Sequence, residues 1–180
     1  MDILSSEVVQ RYRVFAVRRM VVRAAGGHTD EYYVVERPDS VQVVALTLEG
    51  RLLMVEQERH GTQARSLEFV AGLIDEGERP EQAAARELEE ETGYCAGRLH
   101  ALGWYYTDPA VLTNKVTIFL AEDCTPTGAQ HPDQGEDVRP LLFDVDAMPE
   151  LIASGRVTHG LCIAAWHLYQ SRVQRSRSRT

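Results

Sequence analysis

A chain of 180 residues, 44% apolar and 26% charged, is long enough for one domain with a real core and has the balance of an ordinary soluble globular protein. Its formal net charge of −8 argues against a nucleic-acid backbone as partner, because that mode of binding needs clustered positive charge. No apolar run reaches the roughly 18–20 residues of a membrane span, and the opening MDILSSEVVQRYRVF is broken by charges where a signal peptide needs an apolar core, so a cytoplasmic protein is expected.

Residues 8 to 24, rich in Val, Tyr, Phe and Arg, read as one long or two consecutive strands. Ala25-Gly26-Gly27-His28 is a turn, and Glu31 to Glu36 a partner strand that Pro38-Asp39-Ser40 ends. Residues 1–40 are thus an antiparallel strand arm. Its exposed edges need covering, and a second copy of the chain would do that.

Val41 to Leu48 and Leu52 to Glu56 form a hairpin around Glu49-Gly50-Arg51. Gln57, Arg59, Gly61 and Thr62 fall in a polar connection to a short strand, Leu67 to Ala71. Gly72 then opens an acidic stretch, and Pro80 suits the first position of a helix because its missing N–H would have no partner there. Alanines 83–85 and Leu88 favour that helix, and Gly93 supplies its left-handed end. Ala84, Leu88 and Thr92 would face the core.

Glu87, Glu90 and Glu91 stand at i, i+3 and i+4, on one face of this helix. Like charges at that spacing repel by a few tenths of a kcal/mol per pair unless something positive sits among them. A divalent cation is the strongest candidate for that charge.

Further on, strands are expected near residues 98–106 and 116–121, separated by a loop containing Thr107-Asp108-Pro109. Residues 124–137 have the Pro, Gly and Asp content of an exposed loop, and such long loops are often functional. Val138 to Val145 is a strand in which Pro140 implies an edge or a bulge. Asp146 can cap a short helix ending at Gly155, and residues 158–170 carry apolar residues at helical spacing. The arginine-rich segment 171–180 reads as a disordered tail. Cys95, Cys124 and Cys162 lack a CxxC pair and suggest neither disulfides nor zinc, and the six histidines read as surface or packed residues.

Written out, the acidic stretch is Gly72, five residues, Glu78, seven residues, Arg86-Glu87-Leu88, one residue, Glu90-Glu91, one residue, Gly93 and an apolar Tyr94. It resembles the Nudix box at every fixed position. The resemblance implies an α/β/α sandwich with a mixed sheet over residues 41–170, preceded by the strand arm. It also implies hydrolysis of a diphosphate with Mg²⁺ or Mn²⁺, two or three ions in the substrate complex. Glu87 and Glu91 would be the principal metal ligands, with Glu90 a further ligand or water contact and the Ala71 carbonyl joining them. Glu78 and Arg86 would pair to fix loop against helix.

Within the family, the ADP-ribose pyrophosphatase group is the nearest resemblance. Gln57 and Arg59 look like its Q-x-R stretch, and Glu68 to Gly72 like its E-x-x-A-G stretch; an arginine there suits a phosphate clamp. Pro109 stands 15 positions beyond Tyr94, the group's spacing. A late-loop glutamate often serves as general base in that group, which points to Glu136, with Asp137 second. Dimerisation through the N-terminal strands is also the group's habit. Where the group has Pro-Gly and an acidic pair, this chain has Pro109-Ala110-Val111, so a nucleoside diphosphate sugar is implied more firmly than ADP-ribose itself. Other Nudix substrates such as GDP-mannose, ADP-glucose or a dinucleoside polyphosphate, and a non-catalytic nucleotide-sugar-binding module, are the alternatives.

Overall fold

The computed structural model describes residues 1–128, 130–131 and 137–177. These form two compact units, one of residues 1–39 with 105–116, the other of residues 40–104 with the described residues from 117 onward. The first is built on a three-stranded antiparallel sheet, β1 (Asp2–Arg11), β2 (Ala16–Arg23) and β3 (Thr29–Glu36), in the order β1-β2-β3. Strand β1 begins well before the expected residue 8. Its polar Ser6 and Glu7 are held by partners on β2, for Arg18 donates to Ser6 Oγ (3.2 Å) and Arg19 to Glu7 (3.0 Å). Arg19 also pairs with Glu31 on β3, so one guanidinium ties all three strands. The 105–116 segment joins this unit through Val35, whose N–H donates to the Val111 carbonyl at 2.8 Å.

The second unit is the α/β/α sandwich. Its strands are β4 (Ser40–Thr47), β5 (Arg51–Arg59), β6 (Ala64–Glu68), β7 (Val70–Leu73), β8 (Tyr94–Cys95), β9 (Arg98–Tyr106), β10 (Lys115–Pro126) and β11 (Arg139–Asp144). They form one eight-stranded mixed sheet with the path β11-β5-β4-β10-β8, on which β6 pairs with β5, β7 with β4 and β9 with β10. Pro140 lies in β11 at the sheet's edge, where its missing N–H costs no ladder bond.

Strand alternation explains the layers. Val41, Val43 and Ala45 of β4 are fully buried with Ala83, Ala84 and Leu88 of helix α1 (Pro80–Thr92) on one face of the sheet. Gln42, between two of them, points to the other face, where it donates to Cys162 Sγ (3.2 Å) of helix α3 (Gly160–Arg177). Replacing Leu88 by Ala would cost about 2–5 kcal/mol through the void it leaves.

Several boundaries differ from the sequence reading. Gln57 and Arg59 are strand residues, because β5 and β6 make a hairpin in which Gln57 opposes Ser66 and Arg59 opposes Ala64. Polar side chains are tolerated there because they pair across the strands, as Arg65 does with Glu56 (3.1 Å). Gly72, which opens the acidic stretch, lies inside β7. Asp146 makes no cap; it sits within a 3₁₀ turn, Val145–Ala147, ahead of the short helix α2 (Met148–Ala153). Residues 171–177, expected to be disordered, continue α3: the anchored turns around buried Ala165, Trp166 and Tyr169 have met the nucleation cost, so each further residue adds a bond. Residues 178–180 lie outside the described residues.

Candidate metal-binding active site

Helix α1 starts as its sequence dictates, with Pro80 in the first turn and the Arg79 N–H donating to the Gln82 side chain (3.1 Å). It ends on Gly93, whose φ of 70° lets its N–H reach the Glu89 carbonyl at 2.7 Å. The buried face holds Ala83, Ala84, Leu88 and Thr92, and also Glu91, which is only 4% exposed. Glu91 therefore borders the core, whereas the sequence reading placed all three glutamates away from it.

Gly72 explains how the helix meets β7. A β-carbon on Gly72 would overlap the carboxylate of Glu87, so only glycine lets that carboxylate rest against the strand. Ala71, the next residue along β7, pairs with Gln42 of β4 in the sheet. The Glu87 carboxylate is thereby brought against the backbone of β7.

Arg86 is the cation among them. Its Nε and Nη2 donate to the two oxygens of Glu78 (both 3.0 Å), its Nη1 to Glu87 (2.8 Å) and Glu90 (2.9 Å), and its Nη2 also to the Leu73 carbonyl (3.0 Å). This guanidinium lies against Glu87 and Glu90 and offsets the repulsion between those two. Glu78 raises the Arg86 pKa well above its usual value despite burial, and Arg86 in turn lowers that of Glu78. The Glu78–Arg86 pair links the 75–78 turn to the helix, where the Asp75 N–H also donates to Glu78 (3.1 Å).

The donor set fits a hard divalent cation. The donors expected from the box, three carboxylates and a strand carbonyl, would all be oxygen, the preference of Mg²⁺ and Mn²⁺ rather than of zinc or copper.

Arg59 is held by Glu68, donating from Nε to Oε1 (2.9 Å) and from Nη2 to Oε2 (2.7 Å). Glu68 is 1% exposed. Burial alone would raise its pKa, but hydrogen bonds from Arg59 and His159 outweigh it and bring it down to about 2. The charges of Glu68 and Glu91 both favour protonated Arg59, which places this arginine in the electrostatic field of the box. Gln57, two residues back on the same strand face, is 5% exposed, and its Nε2 has no hydrogen-bond partner among the described residues.

Glu68, His159 and Cys162 present ligand atoms within 4.8 Å of one another. They are not a metal centre. The carboxylate already accepts from a guanidinium that would repel a cation, and burial pushes the Cys162 thiol up to about 12, far from the thiolate a metal needs.

Glu136 lies outside the described residues. Asp137, the second base candidate, is bound by Arg65 (2.6 Å), which lowers its pKa. The flanks of this loop are fastened to the end of α1. Gln130 Nε2 donates to the carbonyls of Glu91 (2.7 Å) and Val138 (2.8 Å), and the His131 N–H to that of Glu90 (2.9 Å). Pro109 belongs to the other compact unit, exposed in a turn where the Leu112 N–H donates to the Asp108 carbonyl (2.7 Å).

The sequence reading missed Glu68 as Arg59's partner, although Glu68 stood in the E-x-x-A-G stretch; nothing in the sequence pointed to His159 or Gln130.

An acidic helix seated on a glycine strand inside an α/β/α sandwich defines a class of metal-dependent hydrolase. The NUDIX domain model matches residues 36–161, and the chain belongs to the Nudix family of hydrolases, which use divalent metal. It is 40% identical over 137 residues to an ADP-ribose pyrophosphatase of Bacillus subtilis, covering 76% of this chain and 74% of that one. An ADP-ribose pyrophosphatase of Mycobacterium tuberculosis is 32% identical over 165 residues, 91% of this chain and 80% of the relative. Among solved structures, the crystal structure of an ADP compounds hydrolase superimposes with a TM-score of 0.87 at 27% identity, covering 97% of this chain and 95% of that one.

No helix among the described residues is long and apolar enough to cross a membrane.

Proposed function

We propose that the enzyme hydrolyses the diphosphate of a nucleoside diphosphate sugar, ADP-ribose to AMP and ribose 5-phosphate, with Mg²⁺ or Mn²⁺. The observation that carries this reading is the seating of the Glu87 carboxylate on Gly72, where β7 meets α1. The substrate class follows from the two ADP-ribose pyrophosphatase relatives and from Arg59 and Gln57 on one strand face.

Glu87 and Glu91 would hold the ions, two or three of them, with Glu90 and the Ala71 carbonyl. When bound, the metal supplies positive charge against the diphosphate. The chain's own residues do the rest. Arg59 binds a phosphate through the guanidinium edge that Glu68 leaves open, and Gln57 offers an amide hydrogen beside it. Glu136 accepts the proton of the attacking water. Glu78, through Arg86, orients the carboxylates rather than touching substrate.

The working form is a homodimer through the N-terminal strands. Ile3, Leu4, Val9, Tyr32 and Tyr33 support this, as large apolar side chains exposed on one three-stranded sheet.

The test is a panel of nucleotide sugars assayed with Mg²⁺ for release of phosphate monoesters. ADP-ribose should be the best substrate, and absence of cleavage across the panel would overturn the reading.

A further inference from the structure

We infer that His159 is a positioning residue for the substrate arginine, acting through Glu68. The inference rests on the reading of Arg59 as the phosphate clamp. Glu68 is ionised and can only accept, so the 2.8 Å contact between its Oε2 and His159 Nδ1 fixes the imidazole with the proton on Nδ1. The buried carboxylate thus takes three charge-assisted hydrogen bonds, two from Arg59 and one from His159.

Each bond constrains a different freedom. The two bonds from Arg59 align guanidinium and carboxylate edge to edge, so whatever orientation Glu68 adopts, Arg59 must follow. The bond from His159 comes from another element, the start of α3, and fixes the carboxylate against rotation. The Nε and Nη2 edge of Arg59 is spent on Glu68, and the Nη1 side faces whatever phosphate binds. Its aim is therefore set two residues away.

The backbone of His159 has a separate task. Its carbonyl accepts from the N–H groups of Cys162 (3.0 Å) and Ile163 (3.3 Å), starting α3 whatever the side chain. Cys162 Sγ is itself fixed by the side chain of Gln42 (3.2 Å) and the Phe69 N–H (3.4 Å), which keeps this first turn against β4 and the residue after Glu68. A change of side chain at 159 can then remove the bond to Glu68 and leave the helix in place.

The experiment compares KM and kcat for ADP-ribose with Mg²⁺ in Arg59→Ala, His159→Leu, His159→Asn and the Arg59→Ala/His159→Leu double variant, with thermal midpoints alongside. Loss of one charge-assisted bond predicts a KM raised about tenfold in His159→Leu, with kcat within about threefold. Asn carries an amide N–H where the imidazole has Nδ1–H, so His159→Asn should bring KM back to within about threefold. In the double variant KM should be no higher than in Arg59→Ala alone, because His159 acts only through that arginine.

An unchanged KM in His159→Leu beside a raised KM in Arg59→Ala overturns the inference and leaves Arg59 as the clamp. Multiplying effects in the double variant also overturn it. An unchanged KM in Arg59→Ala removes the clamp and the inference together, while Mg²⁺-dependent cleavage itself still stands. Should His159→Leu fail to fold, His159→Gln replaces it, since its amide nitrogen stands in the place of Nε2 and cannot supply the missing bond.

Discussion

The carboxylate of Glu87 rests against Gly72, in the space a β-carbon at that position would fill. Strand β7 and helix α1 can approach this closely only because one residue has no side chain. Gly72→Ala should therefore displace Glu87 and lower kcat about 10²-fold, the usual cost of a misplacement near 1 Å. Stability should fall less than in a core variant such as Leu88→Ala. Steady-state kinetics and thermal melts of both variants check this, and a Gly72→Ala enzyme with normal kcat would mean Glu87 is not held as described.

Glu87→Gln and Glu91→Gln keep shape and remove charge. With a metal ligand worth several kcal/mol in the transition state, each should lower kcat by about 10³ or more. Titration with Mn²⁺ followed by electron paramagnetic resonance should show weakened binding in both. Turnover within a few-fold of the parent would refute the ligand assignment.

Glu136→Gln should lower kcat by about 10²–10⁴ if this residue takes the proton. Asp137→Asn should have a smaller effect, since Asp137 is engaged by Arg65. A loss under tenfold would move the role to another group.

Glu68 links stability to pH. Its folded pKa, about 2, is depressed below the ordinary carboxylate value of 4.5, so its contribution is complete above about pH 4.5 and is lost as pH falls toward 2. Glu68→Gln should remove that acid-sensitive part. At neutral pH the variant should be less stable by about 3 kcal/mol, the low end for a broken buried pair because Arg59 keeps 40% of its side chain exposed. The midpoint should drop about 6–12 °C. Equal acid sensitivity in parent and variant would contradict the assignment.

The exposed apolar side chains of the N-terminal sheet predict a dimer in sedimentation at micromolar concentration. Val9→Asp together with Tyr33→Asp should yield a monomer with its fold intact by circular dichroism. A monomeric parent would remove the dimer reading.

The box itself could be read from the sequence because its requirements are local. Pro80, Gly93 and the glutamate spacing act within one helix, and Gly72, Glu78 and Arg86 stand at fixed distances along the chain. The hairpin and the edge strand with Pro140 were legible for the same reason. What the sequence hid depends on residues brought together from afar. Glu68 and His159 are separated by 91 positions, and a lone histidine ahead of a helix carries no periodic signal. The β5–β6 hairpin was read as a connection because its polar residues pair across strands, a contact invisible to alternation. The helical continuation past residue 170 was missed because arginine and serine suggest solvent, although a helix already nucleated extends at little cost.

Arg86 grips Glu78, Glu87 and Glu90 at once, so one guanidinium fastens the 75–78 turn to α1. Exchange for lysine would keep the charge and lose the fork, leaving one point of contact where there are several. The box thus carries its own clasp, and the side chain that steadies the turn also sets where two of the carboxylates lie.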